Sequence, residues 1–522
     1  MTALIDPSKH NQRARITATL HCLAPLHIGD GGVESFANRK QGQTLGKAAR
    51  AATKDDSFYS TVCRDHAGRP ILPGSSLRGL LRQATAQIDA GRLEALFGPE
   101  AGEDKLSMGR VIVCDAPMSM GPVETQHLAD FVTLAAAGQR ERTGAGTCIA
   151  HNVSIDAITG AAAAVEHLLF AEEYVPAGSE FTLVLELGPC DDSDLGTILA
   201  VLNGFDGKAG HSLGAGASHG FGQFLVPASS IEVYTRGGDE LLTWLQGNLD
   251  EAAPWSECRI DSLPTHGQRE AAPSIQIDLH FDGAFAINDP GLIGRADANA
   301  EHAPDIEFSR DSQGRPRIPG RSLRGLIRHR ARRIIATVLH QKHGFTPREA
   351  TRRAETLVQE IFGDTERQSP LRIGEARVVE GGRHDGREQT FNAVDRFTGG
   401  VADSKLYTAH LAQPTTLRFS LSLRRGQPEP WWLGLGLLIL RDAVEGDLAI
   451  GWGKGKGLGA FHAGFAGKTD WTEVLHKLEE LCVAHKVEQK PEQWHKAFHD
   501  HLITVAKDSL GEETETEHGV NQ

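Results

Sequence analysis

The chain has 522 residues, 40% of them hydrophobic, and a formal net charge of −14. This length predicts two or more domains, and the hydrophobic content is ordinary for globular proteins. A net negative charge argues against a surface that binds nucleic acid throughout. Acids and bases are segregated, however, because the run GRSLRGLIRHRARR at 320–333 carries six arginines and no acid. We therefore expect a local basic surface.

Targeting and redox signals are absent from the sequence. The first twenty residues lack the apolar core of a signal peptide. The most apolar run, WWLGLGLLILRDA at 431–443, is too short for a membrane span. The seven cysteines include no Cys-x-x-Cys pair, which disfavours a zinc knuckle or a disulfide framework. These features predict a cytoplasmic protein with no membrane partner.

A series of landmarks occurs twice in the same order, which indicates an internal duplication. The first is an alternating strand, RITATLHCLAPLHIG from residue 15 and SIQIDLHFDGAFAIN from residue 274. The second is a polar turn, Pro-Gly and a helix start, RDHAGRPILPGSSLRG at 64–79 and RDSQGRPRIPGRSLRG at 310–325. A serine in each helix start is a candidate N-cap.

Further landmarks follow each helix. Phe-Gly ends the helical regions at Gly98 and Gly363, and a short strand comes next. A stretch with Asn, Asp and Thr-Gly then precedes a long strand in each copy. A glycine-rich loop closes each copy, LGAGASHGFGQF at 213–224 and IGWGKGKGLGAF at 450–461. We predict a first domain at 1–228, a linker at 229–273, a second domain at 274–466 and a C-terminal helical segment at 467–522 with a disordered acidic tail.

With these motifs in this order, residues 15–461 resemble the RAMP superfamily, and specifically the backbone subunits of type III CRISPR effector complexes. Two copies in one chain resemble the tandem fusions of type III-D systems. The resemblance implies an α+β fold of two tandem modified RNA-recognition-motif (ferredoxin-like) domains. It also implies a thumb hairpin in each domain, projecting from the Asn-Val-Ser-Ile-Asp and Asn-Ala-Val-Asp-Arg stretches at 152–156 and 392–396.

The resemblance further implies a function in antiviral defence. Such a subunit binds crRNA and target RNA, beside a large polymerase/cyclase-like subunit, other RAMP subunits and a small subunit. It cleaves target RNA with Mg²⁺ or Mn²⁺, through an aspartate in the loop between the first strand and the Pro-Gly-Ser helix. The chain is therefore expected to be an endoribonuclease within a ribonucleoprotein.

Asp305 is the catalytic and metal-binding candidate of the second copy, because it stands six residues before Asp311. A carboxylate there can hold a hydrated metal ion or orient the attacking 2′-OH. The same count back from Asp65 reaches Tyr59, so the first copy uses Asp55 or Asp56 or is inactive. Asp30 and Asp289 are secondary candidates. A loop aspartate is also a common turn residue, which is the competing interpretation for each.

Helix starts, glycine loops and thumb bases supply the predicted RNA contacts, since helix N-termini and arginines bind phosphate. The residues are Ser75, Ser76, Arg78, Arg82, Arg321, Ser322, Arg324 and Arg328 in the helices, His219, Lys454 and Lys456 in the loops, and Asn152, Asn392 and Arg396 at the thumbs. The alternatives are solvated helix arginines, glycine hairpins that only pack, and Asx turns at the thumb bases.

Two other functions fit the same sequence. In the first, both copies bind crRNA and neither cuts, so that the chain is a scaffold. In the second, the chain processes crRNA precursors, which requires a general-base histidine near the first helix. His21 and His27 are the candidates for that role.

Overall fold

A computed structural model describes residues 12–35, 58–99, 107–121, 132–133, 146–153, 169–207, 211–237, 246–247, 255–258, 264, 274–289, 304–364, 366–382, 384–402, 406–424, 428–465, 467–484 and 490–518. Every structural statement refers to these ranges. Among their helices, none combines the length and the apolar character that a membrane span needs.

The first repeat and the segment after it contain sixteen labelled elements. The strands are β1 (Gln12–Cys22), β2 (Gly29–Ser35), β3 (Phe58–Val62), β4 (Ile71–Leu72), β5 (Val111–Val113), β6 (Ala116–Met120), β7 (Val132–Thr133), β8 (Gly146–Val153), β9 (Leu169–Tyr174), β10 (Glu180–Cys190), β11 (Phe224–Leu225), β12 (Glu232–Arg236) and β13 (Ser256–Cys258). The helices are α1 (Gly74–Ile88), α2 (Leu93–Phe97) and α3 (Asp192–Asn203).

The second repeat and the C-terminal segment contain fourteen labelled elements. The strands are β14 (Ser274–His280), β15 (Ile306–Glu307), β16 (Arg317–Ile318), β17 (Leu371–Ile373), β18 (Ala376–Val378), β19 (Gly386–Phe391), β20 (Tyr407–Ala412), β21 (Thr416–Leu423) and β22 (His462–Gly464). The helices are α4 (Gly320–His343), α5 (Pro347–Phe362), α6 (Pro430–Val444), α7 (Trp471–Ala484) and α8 (Pro491–His518).

Each repeat is built on an antiparallel sheet with the same strand order. The order is β11-β1-β10-β6 in the first repeat and β22-β14-β21-β18 in the second. In chain order, a helix follows the first of these four strands and another helix follows the third, as in a β-α-β-β-α-β ferredoxin-like unit. The predicted α+β fold of two tandem RNA-recognition-motif-like domains is therefore confirmed.

The alternating sequence of β1 produces a strand with one buried face. Side chains from Ala14 to Cys22 are buried at every second position. Ile16 lies opposite Leu185 of β10, and both are fully buried. In the second repeat, Ile277 lies opposite Phe419 in the same way. Each such side chain contributes about 1.5–3 kcal/mol by leaving water, so this face forms the centre of each core.

The shared Arg-Asp-x-x-Gly-Arg-Pro turn is held in the same way in both repeats. The Asp65 carboxylate accepts hydrogen bonds from the backbone of Ala67 and Arg69 and from the Arg69 guanidinium. Asp311 does the same with Gln313 and Arg315. These aspartates are turn residues, and the turn delivers the chain to the start of the following helix.

A second, smaller sheet in each repeat holds the predicted thumb hairpin. The order is β2-β3-β9-β8-β7 in the first repeat and β15-β20-β19 in the second. The β8–β9 and β19–β20 pairs are antiparallel hairpins. In each repeat a short strand before the helix, β3 or β15, pairs in parallel with the second hairpin strand. In the second repeat this pairing holds Asp305 beside Thr408, near the loop end of the β19–β20 hairpin.

The predicted linker adds to the first domain, and the C-terminal segment adds to the second. Strands β12 and β13 extend the first sheet beyond β1. Helix α8 packs against α6 and buries Trp494, Phe498 and Leu502. It continues to His518, across most of the acidic stretch for which we predicted disorder. The C-terminal segment thus completes the core of the second repeat.

Candidate nucleic-acid interface

The arginine of each Leu-Arg-Gly motif ties its helix to the Phe-Gly turn. Arg78 donates to the carbonyl oxygens of Val111, at 2.6 Å, and Phe97, at 2.7 Å. Arg324 donates to the carbonyl oxygen of Phe362 and to the Ser369 hydroxyl. Each guanidinium also lies 5.5 Å from the ring centre of that phenylalanine. The Leu-Arg-Gly motif and the Phe-Gly turn therefore occur together, because the arginine of the motif satisfies the phenylalanine carbonyl oxygen of the turn.

The predicted serine N-caps are wrong. The N-cap residues are Pro73 and Pro319, and neither helix has a side-chain cap. In the first repeat the Asp115 carboxylate accepts from the Gly74 amide at 2.7 Å instead. Ser75 is exposed, while Ser76 and Ser322 are half-buried in the first helical turns. Arg82, one turn later, donates to the Gly98 carbonyl oxygen at 2.6 Å.

The glycine-rich loop of the first repeat packs against the helix start of the second. A Cβ at Gly320 would overlap the carbonyl oxygen of His219. A Cβ at Gly220 would lie 3.1 Å from Gly374 Cα and 3.2 Å from the Ile373 carbonyl oxygen. We predicted that these glycines allow close approach to RNA, but at Gly220 the backbone that comes close is that of the second repeat. This contact is the inter-repeat junction.

Charged and aromatic side chains complete the junction. Arg321 forms an ion pair with Glu172 of β9 and lies 4.9 Å from the Phe221 ring centre. Burial lowers the pKa of His219 to about 3, and the positive charges of Arg321 and Arg324 contribute. His219 is therefore neutral at physiological pH and offers no charge to a phosphate.

A basic cleft opens beside the junction. Its volume is about 610 Å³. The glycine loop of the first repeat lines one side at 214–218, and the second repeat supplies Arg324, Arg328, Arg367 and Arg424. Asp364 is the one acid among the described lining residues. Burial and the neighbouring Arg328 lower the pKa of Arg324 to about 10, so that it stays charged at neutral pH. Arg328 pairs with Glu355, and Arg367 lies 3.9 Å from Asp364. Four arginines against these two acids leave the concave surface with a net positive charge, which suits an anion.

The remaining arginines of α4 do not form an unbroken basic face, contrary to our expectation. Arg328 and Arg332 pair with Glu355 of α5. Arg330 pairs with Asp442 of α6, with Nε and Oδ2 2.5 Å apart. The run has one sign in the sequence, but these acids come from distant elements that the fold brings beside it.

The thumb base of the second repeat is exposed. Asn392 and Arg396 are exposed, and Asp395 accepts from the amides of Phe397 and Thr398 in an Asx turn. The Phe397 side chain is 99% exposed at the tip of this turn. In the first repeat, Asn152 lies in β8, and the part of the chain that the structure describes offers its buried Nδ2 no hydrogen-bond partner.

The glycine loop of the second repeat remains open to solvent. Lys454 and Lys456 are exposed, and neither forms an ion pair with a described residue. A Cβ at Gly455 or Gly457 would meet nothing within 4 Å. The two lysines are therefore accessible to a large anionic ligand.

Asp305 lies immediately before β15, near the loop end of the β19–β20 hairpin. Its Oδ2 accepts from the Thr408 amide at 3.0 Å, and its own amide donates to the Thr408 carbonyl oxygen at 2.7 Å. Tyr59 holds the matching place in the first repeat, where it is 3% exposed and donates to Glu34. Asp55 and Asp56 lie outside the described residues.

The secondary aspartates and the histidines have partners within the fold. Asp30 accepts from the Thr61 hydroxyl at 2.7 Å, and this hydrogen bond is the largest cause that lowers its pKa. Asp289 accepts from the Ser309 hydroxyl. His27 is buried with Nδ1 2.5 Å from the Glu173 carbonyl oxygen, while His21 pairs with Glu180. A buried His27 is unsuited to act as a general base on RNA.

The donor set at Asp305 bears on the predicted Mg²⁺ or Mn²⁺. No group of three or more His, Cys, Asp or Glu side chains in the described ranges could hold a metal ion. One exposed carboxylate is nevertheless compatible with Mg²⁺, which often binds to one or two carboxylates together with substrate phosphates. Asp305 would therefore hold a metal ion only together with RNA.

Sequence reasoning missed two features of this surface. Glu172, the partner of Arg321, carries no sequence signal, because only the fold brings β9 to the second repeat. The second feature is an aromatic cluster of Phe391, Tyr407 and Trp452 beside the open loop. The tryptophan inside a glycine-rich loop could have indicated it.

Comparison with known proteins identifies the family. A model of the RAMP superfamily matches residues 19–225 and 277–462, which cover both repeats and their glycine loops. No curated protein matches the chain. The superfamily supports a CRISPR-associated RNA-binding role. Since the match covers most of the sequence, the chain belongs to the RAMP superfamily.

Proposed function

We propose that the chain is a crRNA-binding backbone subunit of a type III CRISPR effector complex, and that its second repeat cleaves complementary target RNA. The basic cleft is the observation that supports RNA binding most directly. It places the glycine loop of one repeat beside arginines of the next, so one RNA strand can contact both repeats. Backbone phosphates are the ligands that such a cleft fits, since arginine binds them through two parallel hydrogen bonds.

The proposed partners are crRNA, target RNA and the other subunits of such a complex. These subunits are a large polymerase/cyclase-like subunit, further RAMP subunits and a small subunit. The junction between the repeats supports association with a further RAMP subunit through the helix start of the first repeat, because it shows how one RAMP helix start seats on the glycine loop of another domain.

Asp305 is the proposed catalytic residue. It is exposed beside the thumb, and the Thr408 amide fixes one carboxylate oxygen. The carboxylate would accept the proton of a target 2′-OH, whose oxygen attacks the adjacent phosphorus while the bond to the 5′ oxygen breaks and that oxygen takes a proton from solvent water. The products are a 2′,3′-cyclic phosphate and a 5′-hydroxyl end. A bound Mg²⁺ or Mn²⁺ would neutralise charge on the phosphate oxygens.

Two observations bear on the alternatives. Tyr59 occupies the place of Asp305 in the first repeat, which favours a first repeat that binds RNA without cutting there. The buried His27 disfavours processing of crRNA precursors. A scaffold in which neither repeat cuts is therefore the main competing function.

The test uses the assembled complex with its guide, labelled complementary RNA and Mg²⁺. We expect the wild type to cut and Asp305→Asn to lose at least one cut by a factor of about 10² or more. Tyr59→Phe, the matched control in the first repeat, should leave that cut unchanged. Intact RNA that stays bound to the wild type would favour the scaffold, and cleavage that survives Asp305→Asn would exclude this carboxylate.

A further inference from the structure

Three aromatic rings and a lysine form one cluster beside the open glycine loop. Phe391 and Tyr407 face each other across the thumb hairpin, with ring centres 5.4 Å apart and planes within 12°. Trp452 of the loop meets both rings edge-on, at 5.5 and 5.9 Å. The Lys456 ammonium lies 5.9 Å from the centres of both the Phe391 and Tyr407 rings.

The cluster lies at the edge of the second core, where Phe391 and Trp452 pack against buried residues and keep part of their rings in solvent. All three rings are partly exposed, and the Lys456 side chain is exposed. Aromatic rings beside lysines in a glycine-rich loop match the chemistry of single-stranded nucleic acid, whose bases stack on rings while cations contact its phosphates. Lys454, exposed in the same loop, supplies a second cation.

Comparison with the junction argues against a protein as the occupant. In the first repeat, the loop that receives Arg321 and Arg324 carries the neutral His219. Lys456 stands at the matching place in the second repeat, between the glycines of GKGKG. An arginine-bearing helix start would therefore meet a like charge there.

The acid that completes the junction is also missing. Ser60 pairs with Glu172 in the first repeat, and Ile306 pairs with Ala409 in the second. Ala409 thus replaces the carboxylate that binds Arg321. The gain of Lys456 and the loss of the carboxylate both make this face more positive. The face of the second repeat therefore suits anions, whereas that of the first repeat receives arginines.

The cluster is close in space to the candidate catalytic residue Asp305. Asp305 is hydrogen-bonded to Thr408, the residue after Tyr407. The first repeat has Ala215 in the place of Trp452. The cluster therefore occurs in the repeat that carries Asp305.

We propose that Phe391, Tyr407 and Trp452, with Lys454 and Lys456, form a stacking site for one unpaired base of the bound RNA. The site rests on the proposed function, because it requires that the chain binds RNA. An unpaired base held there would fix the strand next to Asp305. It would also leave the adjacent phosphate near the two lysines.

The test compares RNA binding by the full chain with that of three variants. The probes are single-stranded RNAs that each carry one 2-aminopurine, whose fluorescence falls when the base stacks. We expect quenching at one position in the wild type, and its loss together with about tenfold weaker binding in Tyr407→Ala. Tyr407→Phe keeps the ring and should retain both. Lys456→Ala, an exposed substitution that spares the fold, should weaken binding a few-fold and flatten its salt dependence.

Other outcomes would overturn the site in distinguishable ways. If the wild type binds RNA but quenches 2-aminopurine at no position, the stacking site is refuted and the proposed function is not. Unchanged RNA binding in Lys456→Ala and Tyr407→Ala, with weaker association with another RAMP subunit, identifies a protein-docking face instead. If both RNA binding and association with another RAMP subunit are unchanged in these variants, the cluster has a purely structural role. A wild-type chain that binds no RNA contradicts the proposed function as well.

Discussion

The two glycine-rich loops share a sequence pattern but have different surroundings. The first, at 213–224, is covered by the helix start of the second repeat, while the second, at 450–461, faces solvent. Gly222 and Gly459 each allow the two ends of their loop to approach closely, since a Cβ at either position would overlap the loop's own backbone. The residues between them differ, with His219 in one loop and Lys456 in the other. A repeated motif thus preserves a loop conformation while its side chains serve different contacts.

The largest expected effect comes from matched valine substitutions in the two loops. Gly220→Val should lower the free energy of unfolding by about 3 kcal/mol or more, because it adds a clash with Gly374 to an unfavourable positive φ. Gly457→Val has the unfavourable φ alone and should cost about 1–2 kcal/mol. Urea unfolding of both variants checks this difference. Equal losses would contradict the closed junction.

The ion pair across the junction gives the next effect. A double-mutant cycle on Arg321→Ala and Glu172→Ala should show a coupling energy of about 1–2 kcal/mol, because both groups are partly buried. Urea unfolding of the two single variants and the double variant measures it. Additive losses would show that the two side chains do not interact in solution.

The pH dependence of stability should differ between the loops. The folded-state pKa of His219, about 3, lies below its ordinary 6.5. The unfolded chain therefore binds more protons between these values, so stability falls as pH is lowered through that window. His219→Gln should remove up to about 1.4 kcal/mol of this loss per pH unit below 6.5. Thermal unfolding between pH 7 and 5 measures this dependence. Lys456→Gln is the control and should keep the wild-type dependence of stability on pH. If His219→Gln also keeps it, the lowered pKa of His219 is contradicted.

The smallest expected effect concerns the open loop. Lys454→Gln should reduce RNA affinity a few-fold and lower the slope of log affinity against log salt by about 0.7, the value for one phosphate contact on a single strand. Fluorescence anisotropy with a labelled polyuridine RNA over a salt series measures both. Lys477→Gln is the control, since Lys477 of α7 pairs with Glu480. Identical slopes for the two variants would place Lys454 away from the RNA.

Local pattern was sufficient for the elements and their repetition. Alternating apolar residues predicted β1 and β14, and the Arg-Asp turn, Leu-Arg-Gly helix and Phe-Gly turn recur with the same contacts in both repeats. These features depend on neighbours in the chain or within one repeat. The serine caps failed because the prolines before them set the helix start and Asp115, from the connection between β5 and β6, accepts from the Gly74 amide.

The sequence by itself determined the duplication and the local elements, because glycines, turn residues and apolar alternation follow from backbone geometry. Its motifs resembled the RAMP superfamily, and the family model confirmed this membership. Tertiary structure decided which charges remain exposed. Glu172, Glu355 and Asp442 neutralise arginines that look unpaired in the sequence, while Lys454 and Lys456 pair with no described acid. Charge pairing acts over a few ångströms in space and leaves no trace at a fixed spacing along the chain. The fold therefore distinguishes the closed loop from the open one.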